Sequence, residues 1–195
     1  VIMNYRFDDH SGELSGHSLG NIIISALTLY TGDFQQAIAE ISQAMKLKGN
    51  IYPSTEDNVT LMARMSDGSV IAGEEEMRED GLSIKQVYYD GPVEAFPKAV
   101  SAIDDADYVI IGIGSLFTSI LPNLVIDDIR KAICRTPAKV IYYCNCMSEP
   151  GETDDFSLED HVRTIEEHLG APVIDAVIYA NDEIPEEIMA AYSKE

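Results

Sequence analysis

The second half of the chain alternates apolar, strand-like segments with amphipathic, helix-like segments, and this alternation constrains the fold more than any other feature. Helix patterns cover about residues 94–104, 122–134 and 157–169, and another begins at about Glu186; strand patterns cover 108–112, 139–144 and 176–179. The strand at 108–112 contains four consecutive apolar residues, as expected at the centre of a parallel sheet. The pattern predicts an α/β fold, with a three-layer α/β/α, Rossmann-like, mostly parallel sheet and right-handed crossovers.

The first half predicts two helices and then three strands. The apolar run from Ile22 to Leu29 predicts a buried helix, and Asp33 is placed to cap a second helix from Phe34 to about Lys46. Strand patterns at 59–65 and 69–72 flank a Ser-Asp-Gly turn, and 83–89 alternates. These strands predict an antiparallel hairpin insertion that forms an antiparallel or mixed edge of the sheet, within a single domain over residues 1–195.

Charge and apolar content exclude several classes of partner. The formal net charge is −21, from 34 acidic and 13 basic residues, so the surface repels nucleic acids and anionic membranes. No apolar run is long enough to span a bilayer and no signal-peptide pattern opens the chain, so we expect a cytoplasmic protein. Cys134, Cys144 and Cys146 fit neither a disulfide framework nor a metal-ligand set, and we expect reduced thiols and no metal site.

The loop after the 108–112 strand carries the first set of candidate binding residues. Ligands of open α/β sheets bind at the carboxyl ends of strands, where glycines allow close backbone approach and consecutive N–H groups bind anions. The alternative is an ordinary strand-to-helix turn with capping hydroxyls. The candidates for binding phosphate are Gly112, Gly114, Ser115, Leu116, Thr118, Ser119 and Asn123.

A second candidate segment precedes the first predicted helix. Gly16, His17 and Asn21 would place a titratable imidazole and an amide at a helix N-terminus, where phosphate binds readily. His17 is therefore both a phosphate-site candidate and the candidate catalytic acid or base. The competing interpretation is a capping or buried structural histidine.

The third candidate segment follows the 139–144 strand. It offers side chains for a sugar, ribose or base: Asn145, Glu152, Thr153, Asp154 and His161. The alternative is a solvated acidic loop. Phe156 is equally suited to stacking on a base and to packing against the following helix.

Three motifs occur in the order found in a known family. They are Gly16-His17-x-x-Gly20-Asn21 after Tyr5-Arg6-Phe7, then Gly-x-Gly-Ser-Leu-Phe-Thr-Ser-Ile-Leu-Pro-Asn-Leu from Gly112, and Pro-Gly-Glu-Thr-Asp from Pro150 with Asp160-His161. From about Tyr5 to the end, the chain resembles the YvcK-like (gluconeogenesis factor) branch of the CofD-like family. That resemblance implies a Rossmann-like fold and a chain that is the C-terminal portion of a longer family protein.

The resemblance implies a function as well as a fold. The YvcK-like branch binds UDP-sugars such as UDP-N-acetylglucosamine and is linked to gluconeogenic growth, cell shape and cell-wall precursor supply. The other branch, 2-phospho-L-lactate transferase, moves a phospholactyl group from a guanosine-diphosphate-linked donor to a deazaflavin precursor with a divalent metal. The family's glycine-rich N-terminal loop and acidic loop do not occur here, and Ile113 and Phe117 stand where the family usually has Pro and Tyr.

Three functions therefore stay open at this point. The first is a regulator that binds a nucleotide ligand (a UDP-sugar, GDP or an NAD-like molecule). The second is a phospholactyl- or phosphoryl-type transferase, for which Mg²⁺ is a candidate cofactor. The third is an interaction fragment with an incomplete site. In each case we expect a homo-oligomer with no nucleic-acid partner.

Overall fold

The computed structural model describes residues 2–8, 12–79, 82–181 and 188. The chain divides into two compact units. The first unit is Val1–Glu56 with Phe96–Ala99, and the second is Asp57–Ala95 with Val100–Glu195. The single domain over residues 1–195 stays a prediction.

The first unit contains short 3-10 turns at Ile2–Asn4 and Gly12–Leu14 and two helices, α1 (Leu19–Thr31) and α2 (Phe34–Ala44). The Ser18 hydroxyl caps α1 by accepting the Asn21 N–H, and Gly32 ends it in a left-handed conformation with φ 73°. The predicted cap of α2 is confirmed, because Asp33 Oδ1 accepts the Gln36 N–H at 2.9 Å.

Helix α1 is not the buried helix that the sequence predicts. Leu29 and Tyr30 are 86% and 85% exposed, and Gly20 is its one buried residue. The apolar run surrounds the helix on all sides, so a single packing neighbour covers only part of it. The described residues leave the rest of that apolar surface in contact with solvent.

The second unit begins with an antiparallel sheet of β1 (Leu61–Met65), β2 (Val70–Ala72) and β3 (Ile84–Tyr89), in the order β2-β1-β3. The predicted turn between β1 and β2 is confirmed, with Asp67 Oδ1 accepting the Ser69 N–H at 2.8 Å. The sequence did not predict α3 (Glu74–Glu79) between β2 and β3. In the described part of the chain these strands form a sheet of their own rather than an edge of the parallel sheet.

The parallel sheet has the order β4-β5-β6 and confirms the predicted α/β, Rossmann-like class. Its strands are β4 (Tyr108–Ile111), β5 (Lys139–Tyr143) and β6 (Ala176–Ile178). The helices in this part of the chain are α4 (Pro97–Asp104, of which residues 97–99 belong to the first unit), α5 (Leu121–Leu124), α6 (Asp127–Arg135) and α7 (Leu158–Leu169), and a π-helical turn at Leu116–Ile120 precedes α5. Residues of α6 and α7 such as Ile129 and Ile165 pack in one core with Ile111, Val140 and Tyr142.

The sequence predicts that β4 lies at the centre of the parallel sheet. In the described part of the chain it lies at an edge instead. Val109 and Ile111 face inward, whereas Tyr108 and Ile110 are 65% and 62% exposed. A short apolar run does not distinguish a strand covered on one face from a strand covered on both. A second helical layer over this face stays a prediction.

The helix expected over 122–134 is interrupted. Ile126 is extended (φ −69°, ψ 120°), and α6 begins at Asp127-Asp128 because two carboxylates favour a helix N-terminus. The capping box predicted at Ser157 is confirmed, with reciprocal bonds between Ser157 and Asp160. The predicted helix from about Glu186 lies outside the described residues. Among the residues described, none of the helices has the length and apolar character needed to cross a bilayer.

Candidate functional site

Residues 112–120, here called the β4 loop, leave the carboxyl end of β4 in a backbone conformation that requires glycine at two positions. Gly112 and Gly114 have φ values of 122° and 150°. A Cβ on Gly112 would lie 2.6 Å from the Tyr143 carbonyl oxygen, and one on Gly114 would lie 2.9 Å from Ser119 Cβ. Both positions therefore exclude side chains through conformation and contact together.

The β4 loop presents main-chain donors. The Ser115 carbonyl accepts the N–H groups of Ser119 and Ile120, at 3.0 and 2.9 Å, and so begins the π turn. None of the hydrogen bonds found in the described part of the chain uses the N–H of Gly114, Ser115 or Leu116 as its donor. Consecutive free amides of this kind are suited to binding an anion.

The remaining candidates in and after the β4 loop divide between surface and interior. Ser115 is partly exposed and Ser119 is exposed, so both hydroxyls lie near the loop surface. Leu116 is 1% exposed and Thr118 9%, and the Thr118 hydroxyl donates to Glu152 Oε1 at 2.8 Å. Asn123 Nδ2 donates to the Ser119 carbonyl at 2.6 Å, a contact within the π turn and α5.

Residues 144–157, here called the β5 loop, contact the β4 loop directly. Asn145 Nδ2 donates to the Gly114 carbonyl at 2.9 Å. The two loops follow neighbouring parallel strands, so the carboxyl ends of β4 and β5 bring them together. The structure thus places one predicted sugar-side residue against the predicted phosphate-binding segment.

The predicted site residues of the acidic segment form hydrogen bonds within the protein. Glu152 is 2% exposed, and its Oε2 accepts the Phe117 N–H at 3.1 Å. Thr153 is equally buried, and its hydroxyl accepts the Glu149 N–H at 2.8 Å. Asp154 is exposed and accepts the Gly151 N–H at 2.8 Å. Of this acidic segment, Asp154 and Asp155 are exposed, and Asp154 is the predicted site carboxylate that remains at the surface.

His161 and Phe156 pack together at the start of α7. Their rings meet edge to face with centroids 5.4 Å apart, and Phe156 also meets Phe117 edge to face at 6.2 Å. His161 is 6% exposed, stacks on Tyr142 and has its Nδ1 2.9 Å from the Ser157 carbonyl. Phe156 thus packs as a hydrophobic staple on the helix, the second of the two roles that the sequence left open.

Gly16, His17 and Asn21 belong to the first unit. His17 is exposed and precedes the cap of α1, so it does not share a helix face with Asn21, which lies in the first turn. Gly16 has φ 78°, and its carbonyl accepts Arg6 Nη1 at 2.9 Å. Their predicted role in binding phosphate, and that of His17 as a catalytic acid or base, stay predictions.

The divalent metal that the transferase resemblance implies does not fit the donors in the described ranges. No group of three or more His, Cys, Asp or Glu side chains converges there. The carboxylate of the candidate Glu152 accepts hydrogen bonds from an amide and a hydroxyl. We derive no step through a metal.

His168 is a structurally important residue that the sequence interpretation missed. Its Nε2 accepts the Val87 N–H at 3.1 Å, and its Nδ1 lies 2.7 Å from the Thr164 carbonyl, so the neutral ring joins α7 to β3. Burial lowers the pKa of His168. Its spacing of i, i+4, i+7 with His161 and Ile165 is the signal that places it on the buried face.

Tyr142 and Cys144 extend the interior next to the site. Tyr142 is fully buried, and burial raises the pKa of its phenol, with a further contribution from the neighbouring Cys144. Burial likewise raises the pKa of the Cys144 thiol. A thiol of this kind is a poor nucleophile, as expected of a structural cysteine.

Comparison with known proteins gives consistent matches. A family model described as 2-phospho-L-lactate transferase CofD matches residues 1–195. The gluconeogenesis factor of Bacillus subtilis is 40% identical over 195 residues, which is 100% of this chain and 61% of that protein. The putative gluconeogenesis factor of Lactococcus lactis is 44% identical over 194 residues, which is 96% of this chain and 59% of that protein.

A solved structure agrees with these matches. The crystal structure of a UPF0052 family member from Bacillus halodurans aligns with a TM-score of 0.91 at 35% identity, covering 100% of this chain and 63% of that one. The chain thus spans roughly three fifths of the length of the curated relatives it matches. The matches confirm the resemblance that the three sequence motifs indicate.

Proposed function

Because the chain belongs to the CofD family, we propose that it acts as a gluconeogenesis factor that binds a UDP-sugar or a similar nucleotide at the β4 loop. The curated relatives named gluconeogenesis factor support the physiological part of this proposal. The role links growth on gluconeogenic carbon sources to cell shape and to the supply of cell-wall precursors. The protein acts in the cytoplasm as a homo-oligomer.

The geometry of the β4 loop carries the ligand-binding part. Glycines with φ 122° and 150° turn the backbone at the carboxyl end of a parallel strand, where α/β proteins bind nucleotides. The N–H groups of Gly114, Ser115 and Leu116 bind the diphosphate, assisted by the hydroxyls of Ser115 and Ser119. Main-chain dipoles attract an anion even though the protein's net charge is −21.

The remaining candidates have separate roles in this proposal. Asp154 and the exposed part of the β5 loop contact ribose or sugar hydroxyls, for which carboxylates are good acceptors. His17 and Asn21 belong to the first unit and are candidates for binding phosphate there. Asn145 supports the Gly114 carbonyl rather than reaching the ligand with its amide hydrogens.

Isothermal titration of the full-length protein with UDP-N-acetylglucosamine, GDP and NAD tests the proposal. We expect saturable heat with the UDP-sugar. Changing Ser115 and Ser119 together to Ala weakens binding, whereas the control Ser101→Ala on the exposed face of α4 does not. The absence of saturable heat with all three nucleotides would reject the proposal.

A transferase is the second candidate, and the family description as a 2-phospho-L-lactate transferase favours it. Its assay supplies a nucleoside-diphosphate-linked phospholactyl donor, a deazaflavin acceptor and Mg²⁺. Product that forms only when the protein is present would show that the chain is part of an enzyme. If no product forms and the UDP-sugar binds saturably, the regulator is the function that remains.

A further inference from the structure

The carboxylate of Glu152 lies inside the second unit and contacts the β4 loop with both oxygens. Oε2 accepts the Phe117 N–H at 3.1 Å and Oε1 accepts the Thr118 hydroxyl at 2.8 Å. The side chain is 2% exposed. Burying a carboxylate is costly unless hydrogen-bond donors surround it, and here the β4 loop supplies two of those donors.

These bonds satisfy a requirement of the π turn. The first N–H groups of a helical segment have no partner within that segment. Phe117 is the second residue of the turn Leu116–Ile120, and Glu152 provides the acceptor for its N–H from a different loop. The turn therefore depends on a residue 35 positions away in the sequence.

Asn145 holds the other end of the same segment. Its side chain donates to the Gly114 carbonyl at 2.9 Å, while Glu152 holds Phe117 and Thr118. The N–H groups of Ser115 and Leu116 lie between these two attachments, and the N–H of Gly114 directly precedes the first of them. The β5 loop thus fixes the β4 loop on both sides of the Ser115 and Leu116 amides and next to that of Gly114.

The charge of Glu152 argues against direct contact with a phosphate. A buried carboxylate close to a diphosphate would repel it, because the two charges have the same sign. Its value to the site must come from the shape that its bonds impose. A glutamine would preserve that shape, since its carbonyl oxygen can accept the Phe117 N–H and its amide can donate to the Thr118 oxygen.

We propose that Glu152 is a positioning residue that, together with Asn145, holds the β4 loop in the conformation that binds the nucleotide diphosphate. This inference rests on the proposed function. It assigns to the Pro-Gly-Glu-Thr-Asp motif a role in shaping the neighbouring loop in place of direct ligand contact through Glu152 or Thr153.

The test compares three variants of the full-length protein by UDP-N-acetylglucosamine titration and by the amide NMR signals of Gly112 and Gly114. Glu152→Ala is expected to raise Kd about tenfold or more and to shift both amide signals. Glu152→Gln is expected to restore a Kd near that of the wild type. The matched control is Thr136→Val, which removes a part-buried hydroxyl that bonds to Ile103 and Ala138, outside the β4 and β5 loops, and is expected to lower stability while leaving Kd and both signals unchanged.

The outcomes separate the inference from the proposed function. If the wild type binds none of the three nucleotides, the proposed function fails, and the ligand-binding part of the inference fails with it. If the wild type binds and Glu152→Ala binds equally well, or leaves both glycine signals unmoved, the positioning role alone is rejected. A loss of binding in Glu152→Gln equal to that in Glu152→Ala would also reject it, because the charge would then be essential.

If Glu152→Ala fails to fold, Thr118→Val removes one of the two bonds to Glu152. The same changes in Kd and in the glycine signals are then expected, with a smaller factor.

Discussion

At the scale of single residues, the site depends on glycines at which even a Cβ atom cannot be accommodated. Gly114 combines a φ of 150° with a contact of 2.9 Å between a built Cβ and Ser119 Cβ. Gly91 has a φ of 121° but nothing within 4 Å of a built Cβ. The two glycines separate the effect of backbone strain from the effect of a steric clash.

Gly114→Ala is therefore expected to cost more than Gly91→Ala. Strain alone in such a conformation costs about 1–3 kcal/mol, and the clash with Ser119 adds to it in Gly114→Ala. Urea denaturation measures both free energies of unfolding, and titration with UDP-N-acetylglucosamine should show lost affinity for Gly114→Ala alone. Equal destabilisation and equal affinity in the two variants would contradict this assignment.

His168 is a second residue whose environment has a measurable consequence. Burial lowers its pKa in the folded protein. As the pH falls, the histidine of the unfolded chain therefore becomes protonated at about pH 6.5, whereas that of the folded chain stays neutral to a lower pH. Stability from this group is fully present above that pH and is lost as pH falls toward the lowered folded-state pKa. Urea denaturation at about pH 7.5 and about pH 5.5 should show this loss.

The control for this effect is His168→Gln. Its carbonyl oxygen can still accept the Val87 N–H, but the side chain does not titrate. The free energy of unfolding of this variant should fall less between the two pH values than that of the wild type. The same fall in both proteins would show that His168 is not the group responsible.

At the scale of elements, β4 shows how a strand can be apolar throughout and buried on one face. Ile110 and Ile111 are neighbours, yet they are 62% and 5% exposed because successive side chains point to opposite faces. The helices α6 and α7 share a core with the face that carries Ile111. The residues of β4 that face this core, Val109 and Ile111, should therefore contribute more to the stability of the fold than Tyr108 and Ile110.

This contrast predicts the effects of two adjacent substitutions. Ile111→Ala should cost about 2–5 kcal/mol, since it opens a cavity in the core. Ile110→Ala should cost about 1 kcal/mol or less, because its side chain is already largely in water. Urea denaturation of both variants gives the comparison, and similar losses would show that the Ile110 face is covered in solution.

At the scale of the whole molecule, the net charge of −21 opposes the anionic ligand that the β4 loop is proposed to bind. Neutral backbone dipoles act at short range, whereas the excess of carboxylates acts over about 10 Å at moderate ionic strength. Salt therefore screens the repulsion more than it screens the local attraction.

The affinity for UDP-N-acetylglucosamine is expected to increase, by about twofold, when salt is raised from about 20 to about 200 mM. Titrations across that range measure Kd directly. A site built from lysine and arginine would show the opposite dependence. Weaker binding at the higher salt concentration would therefore contradict recognition by main-chain amides.

The sequence alone determined the features that depend on neighbours along the chain. The capping residues Asp33 and Ser157, the Asp67 turn and the strand-helix alternation were all predicted, because each depends on residues only a few positions apart. The three family motifs likewise indicated the family that the comparisons confirm. The position of the β4 loop at a strand end followed from the same alternation.

The tertiary structure decided which polar groups face a ligand and which face the core. Glu152 and Thr118 look like surface ligands in sequence, but they bond to each other across 34 positions inside the fold. His168 meets Val87 across 81 positions, and β4 has one exposed face that its composition does not reveal. Local patterns specify backbone conformation, whereas the burial of a side chain depends on distant segments that its own neighbourhood does not encode.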